Sequence, residues 1–166
     1  MDRLWSPWRY RYVTKADPTD GCIFCTKPTE NRDKENYILH RGSLCFILLN
    51  IYPYTSGHLM IAPYQHVPTL ADAPEQAVTE MMLLARRAEA NLREAYRPEG
   101  FNIGLNIGAS AGAGIAGHIH MHVLPRWTGD ANFMTTVGET RVLPEDLATT
   151  YEKLSPLSWE RLPTDK

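Results

Sequence analysis

No stretch of this 166-residue chain is apolar for long enough to cross a bilayer. The longest candidate, "LCFILLNIY" (44–52), falls well short of the ~20 residues a membrane helix needs. The opening "MDRLWSPWRY" has no apolar signal core, so a cytoplasmic protein with no membrane partner is expected. An excess of either charge is lacking too: 17 Lys and Arg face 19 Asp and Glu, a net charge of −2. That argues against a broad cationic surface for nucleic acid, though not against a local pocket for a small phosphate-bearing ligand. Three cysteines cannot all pair within one chain, so no disulfide framework is expected, in keeping with a reducing compartment. There is no internal repeat. One domain spanning 1–166 is expected, with an aromatic, basic extension (1–21) and a C-terminal tail (about 128–166).

What is present is an ordinary globular balance, 43% hydrophobic and 22% charged, patterned for mixed structure. "LCFILLN" (44–50) and "HLMIAP" (58–63) read as a hairpin, with Pro53 and Gly57 as turn residues between them. Val78, Met81, Ala85, Ala88, Leu92 and Ala95 recur at spacings of three and four, predicting a helix to about Tyr96. Asp72 and Glu75 suggest its capping box, and Pro98 and Gly100 its end. "FNIGLNI" (101–107) alternates as a strand, and "LPEDLATTYEKL" (143–154) reads as a weaker helix. This order predicts an α+β fold: an antiparallel sheet covered by one long helix, with a C-terminal helix.

Histidine is scarce, yet half of the six fall within "HIHMH": His118, His120 and His122. On a strand, alternate residues share a face. At roughly 3.3 Å per residue, the outer two start about 13 Å apart. One metal held by bonds of about 2.0–2.1 Å cannot take all three on a straight strand. They must serve at least two microsites. A polar sheet face is the plain alternative. The chemical reading uses neutral imidazole as a nucleophile towards phosphorus, with a second histidine to orient it or donate a proton. The preceding "GASAGAGIAG" (108–117) lets backbone amides approach an anion. It has neither P-loop nor Rossmann spacing, and could also be a flexible connection.

Cys22-Ile-Phe-Cys25 fits half of a zinc site better than a redox motif, because no strand precedes it. Cys45 reads as a core thiol. His66 and His118 are then candidates for the other two ligands.

"HIHMHVL" and the upstream "LLNIYPYTSGHLMIAP" resemble the histidine triad family of nucleotide hydrolases and transferases, over roughly residues 20–127. "WSPWRYRY", "NIGASAGAG" and "PRWTGDANFM" look most like its bacterial diadenosine-tetraphosphate phosphorylase branch. The resemblance implies a sheet of about five strands, a homodimer, and a substrate that is an adenine nucleotide or dinucleoside polyphosphate. It makes His120 the nucleophile, nucleotidylated on an α-phosphate, with His122 and His58 orienting it and binding phosphate. Asn50 matches the ribose contact, and Leu48 and Met60 the base pocket. Asn106, Gly112, Gly114 and Ile115 complete the implied substrate set. Where other members place a hydroxyl near the leaving group, this chain has none. Cys22, Cys25, His66 and His118 match the zinc ligands of some relatives. Phosphoramidate hydrolysis and a non-catalytic nucleotide sensor are the alternative functions. The aromatic extension reads as packing, with Arg9 or Arg11 on a phosphate chain as its functional version.

Overall fold

The computed structural model describes residues 21–131, 133–138 and 143–160. "WSPWRYRY", with Arg9 and Arg11, lies outside them. Two short helices, α1 (Ile23–Thr26) and α2 (Asp33–Asn36), lead into strands β1 (Ile38–Arg41), β2 (Cys45–Leu49) and β3 (Leu59–Pro63). Next come the long helix α3 (Glu75–Tyr96), β4 (Gly100–Leu105), β5 (Met121–Arg126), α4 (Phe133–Thr136) and α5 (Leu147–Leu154). The strands form one sheet in the order β1-β2-β3-β5-β4, with every neighbouring pair antiparallel.

Alternation sorts the side chains onto two faces. Ile47, Leu49, Leu59, Ile61, Met121 and Val123 form one core with Met81, Leu84, Ala88 and Leu92 of α3. Phe46, Leu48, Met60 and Ala62 point the other way and pack with Ile38 and Phe24. The helix therefore covers one face and leaves the other for the site. β2 and β3 are buried along their whole length, as their continuous apolar runs require.

The expected hairpin is present, with Cys45 opposite Pro63 and Leu49 opposite Leu59. Gly57 makes its return possible. It has φ +75°, and a Cβ there would lie 3.0 Å from Leu92 Cδ2, so glycine alone suits the turn before His58. β1 has no strand signal of its own in the sequence, because "ILHR" is short and comes after a polar connector; pairing with β2 is what makes it a strand.

Helix α3 starts differently from the expected capping box. Pro74 holds the cap position, and the Asp72 carboxylate accepts from the Thr69 hydroxyl. The helix ends at Arg97, whose φ of 48° is left-handed and whose N–H donates to Arg93 O. Pro98 then prevents continuation. Helix α5 has a side-chain cap, Asp146 accepting from Thr149 N–H. The segment after it is tied to α3: Asn91 donates to Ser158 O, and Arg87 to Trp159 O. β4 lies at the sheet edge with Ile103 43% exposed, while Met82 and Leu83 stand exposed on α3.

Candidate active site and metal centre

The three clustered histidines straddle the start of β5. His122 is within the strand, whereas His118 and His120 precede its first residue, Met121. The expected separation into microsites is present. The His118 ring faces the cysteines, and the His122 ring faces His58.

The first microsite gathers Cys22, Cys25, His66 and His118, with their ligand atoms all within 4.8 Å of one another. Helix α1 brings the cysteines together, since Cys25 N–H closes on Cys22 O. Ile119 N–H donates to Val67 O, drawing His66 and His118 side by side. His118 Nδ1 lies 3.3 Å from Cys22 Sγ and 3.6 Å from Cys25 Sγ; His66 Nδ1 lies 3.3 Å from Cys25 Sγ. Bonds of about 2.0–2.3 Å to a tetrahedral ion would set donors about 3.3–3.8 Å apart. The donor set therefore fits a metal. His118 Nε2–H donates to Pro63 O, which leaves Nδ1 as the lone-pair nitrogen. Burial holds the Cys25 thiol above its ordinary range and His118 below its own.

In the second microsite, hydrogen bonds select the tautomers. Tyr54 N–H donates to His58 Nδ1. A backbone N–H can only donate, so the His58 proton is on Nε2. That nitrogen lies 2.9 Å from His122 Nδ1 and donates to it. His122 is thus held neutral, with its own proton on Nε2. Burial first, and then neighbouring His120, lower the His122 pKa to about 4.

His120 is set by a different group. Its Nδ1 lies 2.9 Å from the carbonyl of His118, which can only accept. Nδ1 therefore carries the proton and Nε2 the lone pair. Burial pulls this imidazole below its ordinary range, while the carbonyl bond works the other way. The group that orients His120 is a peptide carbonyl rather than a neighbouring ring. The His122 ring stands edge-on to it, with centroids 5.0 Å apart.

Two contributors carried no functional signal of their own in the sequence. Phe24, between the two cysteines, packs against the His120 ring at 4.7 Å and the His118 ring at 5.3 Å. Tyr54, read only as part of a turn, supplies the amide to His58 and its ring to the side of His58.

The implied substrate residues are partly assembled. Asn50 is buried beside His58, at 3.4 Å, and its Oδ1 accepts from Tyr52 N–H. Leu48 and Met60 pair across β2 and β3, with Ile115 packed on their cluster, but both are buried. Asn106 is half-buried just past the end of β4. Gly112 has left-handed φ and its amide closes a turn onto Ala109 O. The amides of Gly114 and Ile115 have no backbone acceptor among the described residues.

The HIT domain model matches residues 31–129. The AP-4-A phosphorylase of Mycobacterium tuberculosis is 40% identical over 98% of this chain and 87% of its own length. The bis(5'-adenosyl)-triphosphatase of Dictyostelium discoideum is 28% identical over 56% of this chain and 62% of its own length. Among solved structures, a zinc-bound histidine triad family protein from Mycobacterium smegmatis superposes with TM-score 0.67 at 28% identity, covering 82% of this chain and 91% of that one. The chain belongs to the HIT domain family and is a HIT-type enzyme.

Proposed function

We propose that the enzyme cleaves the α-phosphate linkage of an adenine nucleotide, with a diadenosine polyphosphate as its main substrate, through a nucleotidyl-histidine intermediate. The observation that carries this is the tautomer of His120. Its Nδ1–H is spent on the His118 carbonyl, which leaves Nε2 as a buried nucleophile. Nε2 attacks the α-phosphorus and forms an N–P bond as the bridging P–O bond breaks. From diadenosine tetraphosphate, ATP departs and AMP stays on His120. An oxygen of phosphate or of water then attacks the phosphorus and frees Nε2, giving ADP or AMP. His122 has Nε2–H to offer a phosphate oxygen, held so by the relay from Tyr54 through His58. The names of the M. tuberculosis and D. discoideum relatives support this substrate class. Asn50, Leu48, Met60, Asn106, Gly112, Gly114 and Ile115 form the proposed nucleotide-binding set. Products formed from diadenosine tetraphosphate with and without phosphate distinguish the second steps. His120→Asn should abolish turnover while nucleotide binding stays nearly intact, because the lost group acts in bond making. Mass spectrometry should find the adenylyl adduct on His120; an adduct elsewhere, or full activity in His120→Asn, overturns the mechanism.

Cys22, Cys25, His66 and His118 hold zinc in this reading, since a two-sulfur, two-nitrogen set suits that ion and leaves no open position. Bound there, the metal would stiffen the lead-in to β5. Protein purified without added metal should contain about one zinc per chain. Chelation should free two reactive thiols. Cys45, fully buried and pushed up to about 12, should react only on unfolding. Absence of zinc, or a Cys22–Cys25 disulfide, sinks the assignment.

The proposed assembly is a homodimer built on α3 and β4, where Ile103, Met82 and Leu83 are exposed. Light scattering at micromolar concentration should give twice the chain mass; a monomer counts against it.

The burial of His122 also predicts a pH dependence of stability. With its folded pKa near 4 and an unfolded value of about 6.5, His122 binds fewer protons folded than unfolded between these limits. Stability should therefore fall as pH drops from about 6.5 towards 4. Denaturant titrations should show a shallower slope in His122→Asn; an equal slope would exclude His122 as a source.

A further inference from the structure

We infer that Gly104 decides whether the enzyme accepts a second nucleoside on its substrate, by keeping open the sheet face beside His122. This deepens the proposed function and rests on it. In an antiparallel sheet, directly opposed residues put their side chains on the same face. The registers then define one row across all five strands. Ile38 faces Leu48, Leu48 faces Met60, Met60 faces His122, and His122 faces Gly104.

Burial changes sharply along that row. Ile38, Leu48 and Met60 are 2%, 0% and 5% exposed. His122 is half-buried and Gly104 is exposed. A Cβ built on Gly104 would meet no atom within 4 Å. One end is thus closed by apolar side chains, and within one chain the other is open at the edge strand. A base seated towards Leu48 and Met60, with its α-phosphate at the histidines, must extend its leaving group towards Gly104. The step from one strand to the next is about 4.8 Å, so the lane continues one strand past His122. On this face β4 presents only small or neutral residues, Asn102, Gly104 and then Asn106 beyond its end. No carboxylate on β4 opposes a polyphosphate there. A branched side chain at 104 would stand in the lane while leaving the adenylyl half untouched.

The test compares ligands that share the adenylyl half and differ beyond its α-phosphate. Binding of AMP and of diadenosine tetraphosphate is measured by calorimetry in the His120→Asn background, which removes turnover. Adding Gly104→Val should weaken the dinucleotide about tenfold and AMP by less than about twofold. Gly104→Ala should give a smaller change of the same sign. Its Cβ has open space, so it serves if the valine variant does not fold. Light scattering on each variant separates this from a change in assembly. Equal weakening of both ligands, or no weakening of either by valine or alanine, overturns the role of Gly104. If the parent binds neither ligand, the proposed function fails instead.

Discussion

The site depends on how one residue, His118, spends its polar atoms. Its Nε2–H is fixed on Pro63 O, its Nδ1 faces Cys22 and Cys25, and its carbonyl receives Nδ1–H of His120. Ring and peptide are covalently joined, so whatever holds the ring also holds the carbonyl. A cluster of four donor atoms gathered from three distant parts of the chain thereby adjoins the carbonyl that sets the tautomer of a fifth residue. Loss of the cysteine cluster would leave His120 in place in the sequence but loosen the acceptor that selects its lone-pair nitrogen.

The sheet supplies the remaining order. Because β5 lies between β3 and β4, His122 is flanked by Met60 on one side and Gly104 on the other. Its i±2 spacing would mean little on an edge strand. Helix α3 settles which face stays available. It packs on Ile47, Leu59, Met121 and Val123, so the alternate residues, His122 among them, face away from the helix. Packing one face on the helix and turning the histidine face away from it are one consequence of a period of two.

Much of this was legible in the sequence because it is written in spacing. Alternate histidines, the cysteine pair, the hairpin around Gly57 and the periodicity of α3 all depend on local geometry. What escaped depends on tertiary contact or on backbone groups. Phe24 reads as an ordinary apolar residue until α1 folds it onto His120. Tyr54 acts through its amide, which every residue but proline possesses. The carbonyl of His118 is equally anonymous. Asp72 and Glu75 carried the letters of a capping box, but Pro74 took the cap position and Thr69 took the Asp72 carboxylate. The exposure of Ile103 was hidden because alternation tells a strand's faces apart and says nothing about which strand lies at the edge.

The neutrality of these histidines has its origin in the same packing. The described hydrogen bonds and ring contacts of His120 and His122 run to backbone, other imidazoles and aromatic rings, with no carboxylate among them. A proton added to either would be a buried charge without a counter-charge, which is why burial lowers both. A carboxylate would instead have favoured imidazolium and removed the lone pair that the proposed attack uses. The missing negative charge is what a phosphate ester brings. On the proposed reading, substrate entry changes the electrostatics that kept the rings neutral and raises their affinity for protons. His122 can then hold a proton against the departing phosphate oxygen. The bonds that set the tautomers would keep Nε2 of His120 for phosphorus.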